Sequence, residues 1–213
     1  MIRQTRKQAV ILLHGLAAHR LVMVRLSKFL NDHGYETSNW GYRSIRGSIE
    51  SHARAFQKQL DELVCNGRHE AVHIVAHSMG GIIARRVLGL SRPENLGRLV
   101  MLGPPNRGSH VARKLSRPLG GICPALRELS DSHDSYVNQL GEPGDIEYGI
   151  IAAAADRVVK LPSTFLDGQS DHIILPGHHG LLPWRRDTAM QVIHFLRTGK
   201  FNQMIAVVGG TGP

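Results

Sequence analysis

The sequence predicts an α/β fold in which a mostly parallel central sheet carries helices on both faces. Short apolar runs alternate along the chain with stretches whose apolar residues recur at helical spacing. This alternation is typical of parallel strands joined by helical crossovers, which bury both faces of the sheet. The 213 residues, 42% of them hydrophobic, are enough for one core and short for two. We therefore expect one domain over 1–213, without a large cap domain.

The first half of the chain contains three predicted strands, each followed by a predicted helix. Glycines and a serine mark several of the boundaries, because glycine tolerates the left-handed turn after a helix and serine caps a helix start. In order, the elements are a strand at 8–13, a helix containing Met23, Leu26, Phe29 and Leu30 that Gly34 ends, a strand at 35–40, a helix that Ser48 caps and Gly67 follows, a strand at 72–77, and a helix that fades at 89–93.

The second half is less regular. The predicted elements are a strand at 99–102, short helices around 111–115 and 125–140, strands at 146–153 and 172–175, and a helix from about 183 to 197. The weak pattern across 107–144 predicts a partial cover over the functional site. The tail at 201–213 has no assignable role, because its glycine-rich stretch at 209–212 precedes no helix that could make it a phosphate loop.

The formal net charge of +9 raises the possibility of a nucleic-acid or anionic-membrane partner. Basic residues are spread along the chain apart from 3–7 and 113–117, and aromatic residues make up only 5%. Nucleic-acid platforms interleave basic and aromatic side chains, a pattern that this chain lacks. We therefore expect a basic surface and no specific nucleic-acid partner, and composition leaves the oligomeric state open.

Two cysteines, Cys65 and Cys123, lie far apart in the chain. This spacing argues against a disulfide framework and against a zinc site, so we expect no metal. The chain shows no secretory signal pattern and no apolar run of membrane-spanning length. We accordingly expect a cytoplasmic protein without a transmembrane segment.

The stretch at 72–83 is an apolar run that breaks into small residues and resumes as a helical pattern. A sharp strand-to-helix turn needs small residues two positions before and two after its central residue, and Ala76 and Gly80 flank Ser78 in this way. The Ser78 hydroxyl would then stand at the carboxyl end of a buried strand, with the Met79 N–H aimed at a developing oxyanion. The alternative is a serine-rich and glycine-rich turn in another α/β protein, including a phosphate-binding one.

An upstream motif favours the interpretation of Ser78 as a nucleophile. The strand at 8–13 runs directly into His14-Gly15-Leu16. A loop after an early strand supplies the second oxyanion donor in hydrolases with this type of turn, and the Leu16 N–H is the natural candidate. We also place His14 and Gly15 among the substrate-binding residues.

With these motifs, the chain resembles the α/β-hydrolases, in particular small lidless bacterial lipases and esterases whose elbow reads Ala-His-Ser-Met-Gly-Gly. The likeness covers His14 to Leu16, the elbow, Gly103 to Ser109, and the stretch from Asp156 to Phe201. Ala76 departs from the glycine usual at that position. The resemblance implies a Ser-His-Asp triad with the chain order serine, acid, histidine, and it implies no cofactor.

The resemblance narrows the choice of base and acid. Matched without gaps from Asp171 to Arg197, the relatives' register puts the base at His179, whereas a local His-x-Gly-Leu-Leu pattern favours His178. Asp156 follows the penultimate predicted strand, where a carboxylate can orient the imidazole, and the family register also places the acid there. Asp167 and Asp171 are the alternatives for the acid.

Two further residues are candidates near the substrate. His77 adjoins Ser78, and at that position a side chain more often packs or forms a hydrogen bond than transfers protons. Asn106 follows the strand at 99–102 and is a candidate for the acyl or alcohol pocket, so we count both residues as substrate-binding.

These features together predict a serine hydrolase that cleaves small carboxylic esters through an acyl-enzyme on Ser78. With little chain available as cover, short-to-medium acyl groups are the expected substrates. The alternatives are acyl transfer to another acceptor, lactone or amide cleavage on the same triad, and a catalytically silent binding protein with this fold.

Overall fold

The computed structural model describes residues 7–90 and 93–204, within which six parallel strands form one sheet. The strands are β1 (Ala9–Leu13), β2 (Glu36–Trp40), β3 (Val72–His77), β4 (Leu96–Leu102), β5 (Tyr148–Ala153) and β6 (Asp171–Leu175). Their order is β2-β1-β3-β4-β5-β6, so the chain first builds outward from β1 to β2 and then crosses β1 to build the rest. The predicted parallel α/β architecture is confirmed.

Helices connect the strands and cover both faces of the sheet. They are α1 (Val24–Asp32), α2 (Ile49–Cys65), α3 (Met79–Leu88), α4 (His110–Leu119), α5 (Ala125–Glu128), α6 (Tyr136–Gln139), α7 (Leu161–Thr164) and α8 (Arg186–Thr198). Short 3₁₀ helices at Arg20–Met23 and His179–Trp184 precede α1 and α8.

Alternating strand residues enter two separate cores, because successive side chains of a strand point to opposite faces. Ile74 belongs to the core that α2 and α3 cover, where Phe56 and Ile82 are fully buried. Its neighbour Val75 belongs to the core beneath α1 and α8, with Phe195. Burial on both faces explains why the central strands are continuous apolar runs.

Local signals in the sequence set several helix boundaries. The Ser48 hydroxyl caps α2 by accepting a hydrogen bond from the Ser51 N–H at 3.1 Å. Gly34 follows α1 with a φ of +95°, a conformation that glycine adopts without a steric cost.

Two predicted helices differ from the structure. The helix expected at 125–140 is wrong, since only the single turns α5 and α6 are helical there. Between them, the Ser130 hydroxyl accepts a hydrogen bond from the Ser132 N–H, which is local competition with helix formation. The last helix begins at Arg186 rather than near Pro183, which lies in the preceding 3₁₀ turn.

Part of the predicted tail is described. Phe201 is buried against Phe195, with ring centroids 4.8 Å apart. Residues 205–213, including the glycine-rich stretch at 209–212, lie outside the described residues. Within 7–90 and 93–204, we find no helix with the length and apolar character needed to cross a membrane.

Candidate active site

Loops at the carboxyl ends of three strands bring the predicted triad residues together. Ser78 follows β3, Asp156 follows β5, and His179 follows β6. Parallel strands direct all of these ends to one edge of the sheet, where ligands bind in open α/β folds. The topology therefore assembles side chains that are 23 and 101 residues apart in sequence.

Ser78 occupies the bend between β3 and α3. Its φ of +53° and ψ of −123° are unusual for a residue with a side chain. Ser78 and Ala17 are the two non-glycine residues with a positive φ in the described ranges. Gly80 lets the helix approach β1, because a Cβ there would lie 2.8 Å from the His14 carbonyl oxygen. Close packing of backbone on backbone explains the small residue at this position.

A chain of hydrogen bonds links the three side chains. His179 Nε2 lies 2.9 Å from Ser78 Oγ, and His179 Nδ1 lies 2.7 Å from Asp156 Oδ2. An ionised carboxylate only accepts, so Nδ1 carries the hydrogen and Nε2 accepts from the serine hydroxyl. The side chains of His179 and Asp156 are only 12% and 2% exposed, so water screens their interaction weakly.

Asp156 is held as an anion. Burial by itself would raise the pKa of Asp156, but the hydrogen bond from His179 and those from the Val158 and Val159 N–H groups outweigh it, and the net pKa is lowered. Both N–H groups donate to Oδ1 at 2.8 Å. Oδ2 remains for the histidine, which fixes the orientation of the carboxylate.

The alternative base and acids lie in different surroundings. His178 is exposed and donates from Nδ1 to the Ala155 carbonyl oxygen at 2.9 Å. Asp167 has a side chain that is 87% exposed and pairs with Arg107 at 3.5 Å. Asp171, at the amino end of β6, accepts from the Phe201 N–H at 2.7 Å. Among the described residues, none of these side chains forms a hydrogen bond or an ion pair with Ser78 or His179.

The two predicted oxyanion donors come from different loops of the site. Met79 is the first residue of α3, so its N–H has no partner within the helix. Leu16 lies in the loop after β1 and lines the cavity that contains Ser78. In the described part of the chain, neither N–H donates to another group.

The four residues predicted to bind substrate divide into two pairs. Gly15 and His77 line the cavity beside Ser78, and a Cβ at Gly15 would lie 2.9 Å from the Ser78 Cβ. His14 and Asn106 are buried and do not line it. The Asn106 amide instead donates to the Thr164 carbonyl oxygen at 2.8 Å.

An apolar cavity of about 320 Å³ opens beside Ser78. Much of its wall comes from the segment 107–144, in which α4 contributes Val111, Ala112 and Leu115. Sequence reasoning did not find these residues as site residues, although α4 carries apolar residues at helical spacing. Val158 also lines the cavity. The one sequence feature that could have identified it as a site residue is its position just after Asp156.

Among the described residues, no acidic side chain lines the cavity, whose wall consists of apolar residues, glycines, prolines, serines and histidines. Asp156 is bonded to His179 and is not part of the wall. Among the described residues, no group of three histidine, cysteine or acidic side chains lies close enough together to hold a metal ion.

Comparison with known proteins identifies the family. The model of the family described as serine aminopeptidase, S33, matches residues 4–139. The chain is also 25% identical over 100 residues to the Mycoplasma pneumoniae protein named "Putative esterase/lipase 3". That match covers 46% of this chain and 37% of the relative, so the chain spans well under half of that protein.

Solved structures share the fold. Phospholipase PlaB from Legionella pneumophila matches with a TM-score of 0.70 at 14% identity, covering 95% of this chain and 62% of PlaB. The mature form of the lipase BlEst2 from Bacillus licheniformis matches with a TM-score of 0.71 at 13% identity, covering 93% and 95% of the two chains. The chain therefore belongs to the serine aminopeptidase S33 family and has the α/β-hydrolase fold of lipases and esterases.

Proposed function

We propose that the protein is a carboxylic ester hydrolase in which Ser78, His179 and Asp156 form the catalytic triad. The observation that carries the proposal is the continuous hydrogen-bond chain from Ser78 Oγ through both nitrogens of His179 to Asp156. A serine hydroxyl is a weak nucleophile until a neighbouring base accepts its proton, and this arrangement supplies that base.

In the proposed reaction, Ser78 Oγ attacks the ester carbonyl carbon while its proton passes to His179 Nε2. Asp156 stabilises the imidazolium that forms. The imidazolium then protonates the departing alkoxide, which leaves as the alcohol and gives an acyl-enzyme on Ser78. Water, deprotonated by His179, attacks the acyl carbon; as the bond to Ser78 Oγ breaks, the imidazolium returns its proton to Oγ, and the carboxylic acid is released.

The N–H groups of Leu16 and Met79 are the proposed oxyanion donors. Each is without another hydrogen-bond partner in the described residues; Met79 directly follows the serine, and Leu16 lines the same cavity as the serine. Removing one such donor in a hydrolase costs roughly a hundred- to a thousand-fold in kcat. Backbone donors of this kind stabilise charge that develops only in the transition state, which is why they raise kcat.

The lining of the cavity favours an acyl ester over an aminoacyl substrate. An enzyme that removes amino-terminal residues must hold a protonated amine close to the scissile bond, which calls for an acidic partner. The wall beside Ser78 offers apolar side chains instead, and His77 there is neutral because burial lowers its pKa to about 3. The names of PlaB, BlEst2 and the Mycoplasma relative agree with acyl esters.

We propose that the segment 107–144 is a partial cover that forms the acyl-binding wall. Val111, Ala112, Leu115, Leu126 and Leu129 from this segment line the cavity. Its volume of about 320 Å³ fits a short-to-medium acyl chain. Each added methylene that the wall buries favours binding by roughly 0.8 kcal/mol until the cavity is filled.

The test is covalent labelling by a fluorophosphonate probe together with turnover of nitrophenyl esters. Wild type should be labelled and should hydrolyse the esters. Ser78→Ala should lose both properties and keep the wild-type thermal midpoint. Loss of a triad nucleophile costs on the order of a million-fold in kcat.

Parallel assays with aminoacyl nitroanilides and with an added alcohol separate the alternatives. Faster release of nitroaniline than of nitrophenol would assign amide cleavage. Formation of a new ester with the added alcohol would assign acyl transfer. A folded wild type that takes no label would refute the triad and favour a binding protein.

A further inference from the structure

The imidazole of His14 lies beneath the loop that follows β1, fully buried and outside the cavity lining. Its Nδ1 lies 2.9 Å from the Gly15 carbonyl oxygen. A carbonyl oxygen only accepts hydrogen bonds, so Nδ1 carries the hydrogen and donates it. The side chain of His14 is therefore bonded to the peptide group that joins Gly15 to Leu16.

That peptide group sets the direction of the proposed oxyanion donor. In a planar trans peptide the C=O and N–H bonds point in opposite directions, and no peptide in the described residues is cis. With the Gly15 carbonyl turned inward to His14, the Leu16 N–H is turned outward, on the side where Leu16 and Ser78 line the same cavity. We infer that His14 is a positioning residue, whose side chain aims the Leu16 N–H at the oxyanion; this inference rests on the ester-hydrolase function proposed above.

A second bond holds the preceding peptide group. The Tyr42 hydroxyl donates to the His14 carbonyl oxygen at 2.7 Å, and burial raises the pKa of Tyr42, so the hydroxyl keeps its hydrogen. The Tyr42 ring also stacks on the His14 ring, with centroids 4.3 Å apart and planes within 16°. The peptide groups on both sides of Gly15 are thus fixed by side chains of His14 and Tyr42.

The rest of the His14 ring makes no other polar contact. Its Nε2 has no hydrogen-bond partner among the described residues, so the bond to the Gly15 carbonyl is the one that the imidazole makes. A buried polar atom without a partner is costly, and a phenyl ring would fill the same space without that cost. The hydrogen bond that orients the Leu16 N–H explains why this position holds a histidine rather than an apolar ring.

The experiment compares His14→Phe with His52→Phe. His52 is also buried, also has an Nε2 without a described partner, and also contacts the Tyr42 ring, with centroids 4.8 Å apart. It makes no described hydrogen bond to the loop at 14–16, so it is a matched control for the loss of a buried imidazole. His14→Asn is the conservative variant, because its amide nitrogen can occupy the place of Nδ1 and donate.

We expect His14→Phe to lower kcat roughly ten- to a hundred-fold, with KM changed less than about three-fold, because a misdirected donor weakens only the transition-state interaction. The affinity for a trifluoromethyl ketone, whose adduct with the serine carries an oxyanion, should fall by a similar factor. His14→Asn should recover most of kcat, and His52→Phe should keep both kcat and the inhibitor affinity.

Other results would overturn the inference. Unchanged kcat and inhibitor affinity in a folded His14→Phe would show that the His14 side chain does not position the Leu16 N–H. An equal loss in His52→Phe would assign the effect to packing of the aromatic cluster. Failure of the proposed function is a separate outcome, since wild type itself would then neither take the fluorophosphonate label nor hydrolyse esters.

Discussion

His77 donates a hydrogen bond from Nε2 to the backbone carbonyl oxygen of His179 across 3.1 Å. Burial, followed by the nearby positive charge that His179 can carry, lowers the pKa of His77 to about 3. His77 is therefore neutral at the pH values at which esters are hydrolysed, and it holds the backbone of the proposed base without competing for the Ser78 proton. Sequence reasoning expected such a packing and hydrogen-bonding role.

Buried neutral histidines should make the free energy of unfolding fall in mild acid. Burial, and then the charge of Arg98, lowers the pKa of His73 from 6.5 to about 4. Between these values the unfolded chain binds a proton that the native state does not, so this stability is complete above pH 6.5 and decreases as the pH falls toward 4. The slope is about 1.4 kcal/mol per pH unit for each such histidine.

Urea unfolding at pH 7, 6 and 5 measures this slope. His73→Leu removes one of these groups, so its unfolding free energy should change less steeply with pH than that of wild type, by about one proton. The comparison depends on slopes, so a uniform loss of stability in the variant does not disturb it. An identical slope in the two proteins would contradict the prediction.

The neighbouring histidines 178 and 179 should differ sharply in their effects on turnover. His179→Ala should reduce kcat about as far as Ser78→Ala, because the hydroxyl loses its proton acceptor. His178→Ala should keep kcat within a few-fold, since the His178 side chain is exposed and its one hydrogen bond among the described residues is to the Ala155 carbonyl oxygen. Steady-state kinetics of both variants on one nitrophenyl ester measures the difference. A greater loss of kcat in His178→Ala than in His179→Ala would make His178 the base.

Asp156→Asn should impair catalysis by changing the histidine tautomer. The asparagine can keep its carbonyl oxygen toward the Val158 and Val159 N–H groups, and its NH₂ then faces His179 Nδ1 and favours a hydrogen on Nε2. Nε2 could then no longer accept the Ser78 proton. The expected loss in kcat is on the order of ten thousand-fold.

Asp167→Asn is the matched control for that change. Asp167 is exposed and, with Asp171, was an alternative for the acid in the sequence analysis, so its substitution should leave kcat unchanged. Measuring both variants with the same ester tests the acid assignment, which would be wrong if Asp167→Asn were the impaired protein.

Ala112→Leu should shift substrate preference toward shorter acyl chains. Ala112 is buried on α4 and lines the cavity, so a larger side chain there occupies space that the far end of an acyl chain would fill. Plots of kcat/KM against acyl length for a series of nitrophenyl esters should peak at a shorter chain than in wild type.

Ser116→Leu is the corresponding control on the same helix. Ser116 lies away from this cavity, and its hydroxyl donates to the Arg113 carbonyl oxygen at 2.8 Å. Its profile should follow that of wild type. If the Ala112→Leu profile also followed wild type, the acyl chain would have to bind elsewhere.

The fold could be predicted because its signals are local and repeated. Buried parallel strands are continuous apolar runs, and the helices between them carry apolar residues at helical spacing. Both patterns can be recognised in a single sequence. The stretch at 125–140 misled the prediction because Leu126, Leu129 and Val137 are buried at helical spacing while the intervening serines form turns. The spacing of apolar residues in this stretch indicates which side chains are buried, but it does not determine the backbone conformation.

Only part of the candidate site could be predicted from the sequence, for a similar reason. Ser78 and Leu16 stand in short motifs that constrain the backbone, so a single sequence reveals them. The contact between Tyr42 and the His14 carbonyl joins residues 28 apart and leaves no pattern in the sequence. The wall formed by α4 also depends on how that helix lies over the sheet, which spacing alone does not specify.

The backbone at Ser78 has a consequence for attempts to stabilise the protein. A φ of +53° with a side chain present costs on the order of 1–3 kcal/mol, and a glycine at this position would be free of that cost. Directed evolution for heat resistance alone would thus favour Ser78→Gly, which removes the proposed nucleophile. Any such library has to be screened for turnover and for melting temperature together, because the most thermostable variants would include inactive ones.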